Sequence, residues 1–319
     1  MALHGYAAVD LFMVMSGFVL GLAHASRVGE SVWAGYWHFL ISRLARLYPL
    51  YLLTTLVCLG LALARGEDWI TPGVVASNLL MADTTFWDVD AIDGPSWAVS
   101  VEWTPNLFFP IFCLIGVRLS QRWTIVIAVI CVALLMLTSV LEVTWNGGIA
   151  GSLGVLDNRL LYLRCAPEFT LGLLIWRWWE AAGRVTRFGG TAWMLGCLVV
   201  MAAALPFKSM DFPFLIAFCL LLPGLAQATS PVARVFASGW MCWVGTISFS
   251  LYLWHAAAIP LRDGLIGITA GLGEMPARMA ANTITLALVL AFSGLSYRRI
   301  EVPARNWVRR LSAPAAPPR

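Results

Sequence analysis

The sequence predicts an all-α fold, a polytopic transmembrane helical bundle of about nine spans, and three observations predict it. Of 319 residues, 60% are hydrophobic and 12% charged, and the mean hydropathy is +0.79, far to the apolar side of a soluble domain, whose surface needs charge. Stretches such as 47–64, 124–141 and 282–297 run without a charge for lengths that cross a hydrocarbon layer. These runs show little period-two alternation, and backbone amides in hydrocarbon must be paired internally, so helices are favoured over a barrel.

Taken in order, the spans fall at 7–24, 47–64, 97–117, 123–142, 161–179, 190–207, 212–229, 241–260 and 281–298. Residues 70–82 are too short to span and read as an interfacial or re-entrant segment. Residues 1–310 form one integral membrane domain with no soluble domain or long linker, and the Ala- and Pro-rich residues 311–319 read as a disordered tail. Ser16, Gly17, Gly172 and Gly245 are read as close-packing positions between helices. Pro49, Pro105, Pro110 and Pro167 are read as kinks or helix starts.

Loop charge gives a topology, because Lys and Arg stay on the cytoplasmic side. Arg27, Arg43 and Arg46 mark the first loop as inside, and Arg118 with Arg122 marks the third. The connection between them adds Glu67, Asp68, Asp83, Asp88, Asp90 and Asp93 to Arg65 and reads as outside. Arg177, Arg184 and Arg187, then Arg234, then Arg298, Arg299, Arg305, Arg309 and Arg310 continue the alternation. The C-terminus is then cytoplasmic and residue 1 outside, which suggests one further helix ahead of Met1 to carry the amino end across. A bacterial inner membrane is the expected location.

The formal charge of +4 is absorbed by this topology and implies no nucleic-acid partner, because sixteen Trp and sixteen Phe among apolar helices suit lipid. The seven cysteines (58, 113, 131, 165, 197, 219 and 242) lie in apolar stretches without a C-x-x-C pair or zinc-like spacing. They read as packed thiols, and no metal site is expected.

An ionisable group inside a membrane helix costs at least a few kcal/mol, so such residues are functional candidates. Asp10, Glu102 and His255 all fall in the outward parts of their spans. A carboxylate beside an imidazole raises its basicity and orients it to take a proton from a hydroxyl. The plainer reading is three separate helix-end groups satisfied by water or a carbonyl. Arg43 and Arg46, three apart at the inner entrance of the second span, share a helix face and suit a phosphate, or serve as positive-inside anchors. Arg164 and Glu168 are four apart, which favours a structural ion pair, with a cavity-lining role behind it. His24 and His38 read as interfacial and loop residues, and His4 lies too near the chain start to be fixed.

These residues, in their order, resemble the acyltransferase 3 family of membrane O-acyltransferases. Gly5, Val9, Asp10, Ser16, Gly17 and Phe18 are similar to one family motif. The Arg43 and Arg46 pair before Tyr48-Pro49 resembles a second, and Ser96, Trp97, Ser100, Val101 and Glu102 a third. Arg164 with Glu168, Phe169 and Gly172, then Ser248 through Tyr252, Trp254 and His255, then Ile300, Glu301, Pro303 and Arg305, extend the series over nearly the whole chain. Thr104-Pro105-Asn106 departs from the polar and aromatic continuation usual in the family, and the family's first helix, with its arginine and catalytic histidine, has no counterpart after Met1.

The resemblance implies transfer of an acyl group, commonly acetyl from acetyl-CoA as donor substrate, to a hydroxyl of a saccharide, lipid or other envelope component. It implies no permanently bound cofactor. Arg43 and Arg46 would meet the CoA phosphates, Asp10, Glu102 and His255 would serve catalysis, and Ser100, Tyr252, Arg164 and Glu168 would line the substrate cavity. A non-catalytic transporter or binding protein for an envelope glycolipid is the competing class, since cavity-facing polar residues look alike in both. Oligomeric state leaves no mark in the sequence.

Overall fold

The computed structural model describes residues 7–24, 32–84, 89–112, 119–153, 161–184, 189–269, 271 and 273–312. Among these, regular structure is helical throughout, without a strand. In chain order the main helices are α1 (Ala7–His24), α2 (Val32–Ala64), α3 (Pro72–Leu79), α4 (Trp97–Leu107), α5 (Gln121–Asn146), α6 (Leu161–Ala181), α7 (Thr191–Ala204), α8 (Asp211–Gln227), α9 (Pro231–Phe236), α10 (Gly239–Ala257), α11 (Ile259–Thr269), α12 (Glu274–Ser296) and α13 (Val302–Ser312). A π-helical turn, Tyr297–Glu301, joins the last two.

Four helical stretches are long and apolar enough to cross a membrane: Phe39–Ala64, Gln121–Trp145, Lys208–Gln227 and Glu274–Val308. A fifth arises if α10 and α11, bent by 58° to each other, are one broken span. Nine spans are therefore not reached by length and composition among the described residues. The reasons are local. Ala7–Ala23 and Thr191–Ala204 are apolar but short, and α6 carries Arg164, Glu168, Arg177 and Glu180 along its length. α4 ends at Leu107 where helix was expected to 117, and residues 113–118 lie outside those described.

The chain divides into two compact units, the first built from Met1–Tyr36 and Val101–Cys242, the second from Trp37–Ser100 and Trp243–Arg319. In the first, α1 packs along α6 so closely that a Cβ on Gly17 would lie 1.9 Å from the Phe169 carbonyl oxygen, and one on Gly172 would lie 1.9 Å from that of Val14. Small residues let two backbones approach to this degree. Around the crossing, Val14, Phe18, Leu173, Trp176, Leu215 and Phe218 form a buried apolar cluster from α1, α6 and α8. Met194, Cys197, Ala217, Leu221 and Ala233 make a second, from α7, α8 and α9.

Gly245 does not pack in this way: nothing lies within 4 Å of a Cβ built there. A glycine in an apolar helix therefore did not by itself mark a crossing. Pro49, Pro105 and Pro167 all lie inside helices, where the missing N–H leaves a carbonyl without its usual partner.

In the second unit, α2 runs on through Arg43, Arg46 and Pro49 as one helix of 33 residues, so the paired arginines fall inside the stretch Phe39–Ala64 that is long and apolar enough to cross a membrane. The 70–82 segment holds α3, which starts at an N-cap Thr71 whose hydroxyl accepts from Val74 N–H, with Pro72 in the first turn. Tyr51 of α2 donates to the Asn78 carbonyl (2.6 Å) and Tyr48 to that of Leu79 (3.1 Å), which ties α3 to α2. Trp254 Nε1 donates to Ser296 Oγ at 3.1 Å, linking α10 to α12.

Candidate active site

The strongest electrostatic feature of the first unit is a buried ion cluster. Arg164 of α6 lies 2.5 Å (Nη2) and 2.6 Å (Nε) from one oxygen of Asp10 in α1. Its Nε is 3.7 Å from Glu168, one turn further along α6. All three side chains are closed off from solvent. The sequence spacing predicts the Arg164–Glu168 pair, but the closer partner is Asp10, 154 positions away. The α1–α6 crossing at Gly17 and Gly172 brings it there. Charges this deep persist only when paired and hydrogen-bonded.

Glu102 is buried in the same unit. Ser16 Oγ donates to its Oε1 at 3.4 Å, and its backbone carbonyl accepts from Asn106 Nδ2 at 2.9 Å. Thus the serine of the Ser-Gly-Phe motif and the glutamate of the Ser-Val-Glu motif meet, although 86 residues separate them. Asp10, Ser16, Glu102, Arg164 and Glu168 therefore gather on α1, α4 and α6 within one unit.

His255 and Tyr252 belong to the second unit and lie together on α10. His255 is exposed, its ring centroid 5.6 Å from that of Tyr252. Its Nδ1 meets the Tyr252 backbone carbonyl, an acceptor only, so Nδ1 is the nitrogen that donates there and Nε2 is the one free of that contact. The Tyr252 hydroxyl donates to the Pro95 carbonyl at 2.9 Å, fixing the start of α4 against α10. His4 lies outside the described residues, and the side chains of His24 and His38 are likewise not described.

Arg43 and Arg46 lie one turn apart on α2. Arg43 is half-buried with its guanidinium 5.6 Å from the Phe39 ring centroid, and Arg46 is exposed. An aromatic face beneath a guanidinium holds it without neutralising it.

Ser100, also in the second unit, donates to Asp83, and here the structure adds residues that sequence reasoning treated only as loop charge. Asp83 and Asp93 are both buried. Asp93 accepts from Ser96 N–H (2.8 Å) and from Thr54 Oγ1 (3.1 Å), so it caps the turn that opens α4 and ties that turn to α2. The Asp-Gly-Pro-Ser run just ahead of the helix, a turn sequence led by an Asp, is the signal that could have identified it. Burial pushes the Asp83 carboxyl up to about 6, against the Ser100 hydroxyl, which holds it down. Burial also raises the Asp93 carboxyl above the usual carboxylate range. No signal in the sequence separates Asp83 from the exposed acids of its loop. Among the described residues, no group of three or more His, Cys, Asp or Glu side chains is arranged to hold a metal.

Comparison with known proteins gives these elements a context. The chain is 28% identical to the acyltransferase MdmB of Streptomyces mycarofaciens, over 98% of its own length and 84% of the relative's. It is 27% identical to the exopolysaccharide production protein ExoZ of Rhizobium meliloti, over 97% and 93%. It is 23% identical to the peptidoglycan O-acetyltransferase OatA of Listeria monocytogenes, over 95% of this chain and 51% of that one. No solved structure matches it significantly. The family model described as an acyltransferase domain matches residues 2–298, which takes in both units and every motif residue from Asp10 to His255, and the chain therefore belongs to the acyltransferase 3 family.

Proposed function

We propose that the protein is an integral membrane O-acyltransferase that takes an acetyl group from acetyl-CoA at the cytoplasmic face and transfers it to a hydroxyl of an envelope saccharide or lipid on the outer side. The observation that carries this reading is the family match over nearly the whole chain. Relatives named for exopolysaccharide production and for peptidoglycan O-acetylation favour a saccharide acceptor. In this reading the membrane is crossed nine times, with α1, α4, α6 and α7 spanning beside the longer helices. The charges of α6 are tolerated there because Arg164 is met by Asp10 and Glu168.

The chemistry is one displacement. Nε2 of His255 takes the proton of the acceptor hydroxyl, the oxygen attacks the thioester carbonyl, and the C–S bond breaks as CoA leaves as a thiolate. Arg43 and Arg46 grip the CoA phosphates, where a planar guanidinium offers two parallel hydrogen bonds. Asp10, Glu102, Arg164 and Glu168 support the reaction from within the first unit, and Ser100 and Tyr252 from within the second.

The test is direct. Protein in lipid nanodiscs releases free thiol from acetyl-CoA, faster with acceptor present, and the double variant Arg43→Ala, Arg46→Ala weakens CoA binding about tenfold or more by titration. Unchanged CoA affinity removes the arginine assignment. Mass spectrometry of envelope polymers from a deletion strain separates the enzyme from a transporter: loss of an ester-linked acyl mass supports transfer, and unaltered acylation in every fraction refutes it.

A further inference from the structure

Within the second unit, a cavity of about 140 Å³ opens where α2 ends and where α10 breaks into α11. Its wall includes Cys58, Arg65, Glu67, Trp69 and Asp93, and Ala256 and Ala257, which directly follow His255. Residues 46 and 65 are nineteen positions apart, about 29 Å at the helical rise, close to the hydrocarbon thickness of a bilayer. One continuous helix thus carries the paired arginines near one end and this cavity at the other.

The wall has a distinct chemistry. Trp69 is exposed, and its indole N–H donates to Glu67. Arg65 lies 4.0 Å from the same carboxylate. Asp93 closes the inner side, held by Thr54 and the Ser96 N–H. The cation is matched by Glu67, so the cavity has no surplus positive charge to select an anion such as a CoA phosphate or a uronic acid. It offers an aromatic ring for stacking on a flat, C–H-rich face, carboxylate oxygens to accept from hydroxyls, and one guanidinium to donate.

We infer that this cavity is the subsite for the acceptor, a neutral sugar ring stacked on Trp69 with its hydroxyls on Glu67 and Asp93, which rests on the acyltransferase reading for the name acceptor. The break between α10 and α11 then holds the ring beside the helix that presents His255.

Binding is measured without acetyl-CoA, by saturation-transfer NMR and titration on the whole protein in lipid nanodiscs, which avoids sugar-headed detergents. The probes are cellotetraose and the N-acetylglucosamine tetramer, both neutral, and tetragalacturonate, which is anionic. At least one neutral tetramer is expected to bind, tetragalacturonate more weakly. Trp69→Ala is expected to weaken the neutral tetramer about tenfold or more, while Trp69→Phe, which keeps a ring face, stays within about threefold. Glu67→Gln, which keeps the shape of the wall, is expected to weaken it several-fold. No binding of either neutral tetramer, equal affinity in Trp69→Ala, or tighter binding of tetragalacturonate overturns the inference. A protein that binds the tetramer through Trp69 yet transfers no acyl group refutes the acyltransferase reading and leaves the subsite standing. Acyl transfer with an acceptor KM unchanged in Trp69→Ala refutes the subsite alone.

Discussion

At the scale of single residues, two ion pairs on α6 and the turn after it show how burial decides what a charge is worth. Arg184 and Glu180 are exposed and 2.9 Å apart, and Glu180→Ala is expected to cost under about 1 kcal/mol. Arg164 is closed off with two carboxylates beside it, so Arg164→Met strands both and is expected to cost about 3–5 kcal/mol, read as a fall in thermal midpoint. Equal midpoints for the two variants would show that the cluster is solvated. Asp83 makes a pH-dependent case. Its carboxyl is raised from 3.8 to about 6, so the folded protein binds that proton more tightly than the unfolded chain does. The contribution is fully present below about pH 4 and is lost as the pH rises through 6, with a magnitude of about 3 kcal/mol. Asp83→Asn holds the uncharged form, so its thermal midpoint is expected to exceed that of the native protein at pH 7.5 and to converge with it near pH 4. Asp93, raised by burial as well, keeps a weaker slope of the same sign in the variant. A midpoint that falls in Asp83→Asn at pH 7.5 refutes the assignment. The local spacing of Arg164 and Glu168 was legible in the sequence because four residues make one helical turn. The partner Asp10 and the burial of Asp83 were not, since both depend on contacts that no local pattern encodes.

At the scale of elements, hydropathy placed the helices well and their ends less well. The expected spans at 7–24 and 123–142 correspond to α1 and α5, which the structure runs from Ala7 to His24 and from Gln121 to Asn146. The span expected to begin at 47 extends back to Val32, because nothing in 32–46 breaks a helix and Pro49 is accommodated inside it. The span at 241–260 ends with α10 at Ala257 and turns into α11, a bend that hydropathy averages away. Glycines were the least legible, since Gly17 and Gly245 occupy similar apolar surroundings in sequence and only the first meets a neighbouring backbone. That contrast can be measured. Gly17→Ala must push α1 from α6, and overpacking of this kind costs about 1–3 kcal/mol. Gly60→Ala on α2 meets nothing within 4 Å, and removing a helix glycine is expected to be neutral or stabilising by up to about 1 kcal/mol. Gly17→Ala melting at or above the native temperature would show that the crossing is looser than its geometry.

At the scale of the whole molecule, helix length and loop charge count the crossings differently. Length and composition identify four or five crossing helices, whereas charge alternation along the loops needs nine to keep its arginine clusters on one side. The two criteria score different things: the first takes each helix alone and passes over α1 for its length and α6 for its charges, while the second counts only the sign of the loops. Membrane sidedness decides between them. In a cysteine-free background, Asp68→Cys lies just beyond α2 and Arg122→Cys at the start of α5, and both native side chains are exposed. Nine spans place position 68 outside and position 122 inside, so an impermeant maleimide is expected to label Asp68→Cys in intact cells and Arg122→Cys only after permeabilisation. Between the two positions the nine-span reading takes α4 as its crossing, since α3 has only eight residues. Labelling of both positions from the same side would therefore remove α4 as a span, and with it the alternation that sets Arg43 and Arg46 opposite the Trp69 cavity.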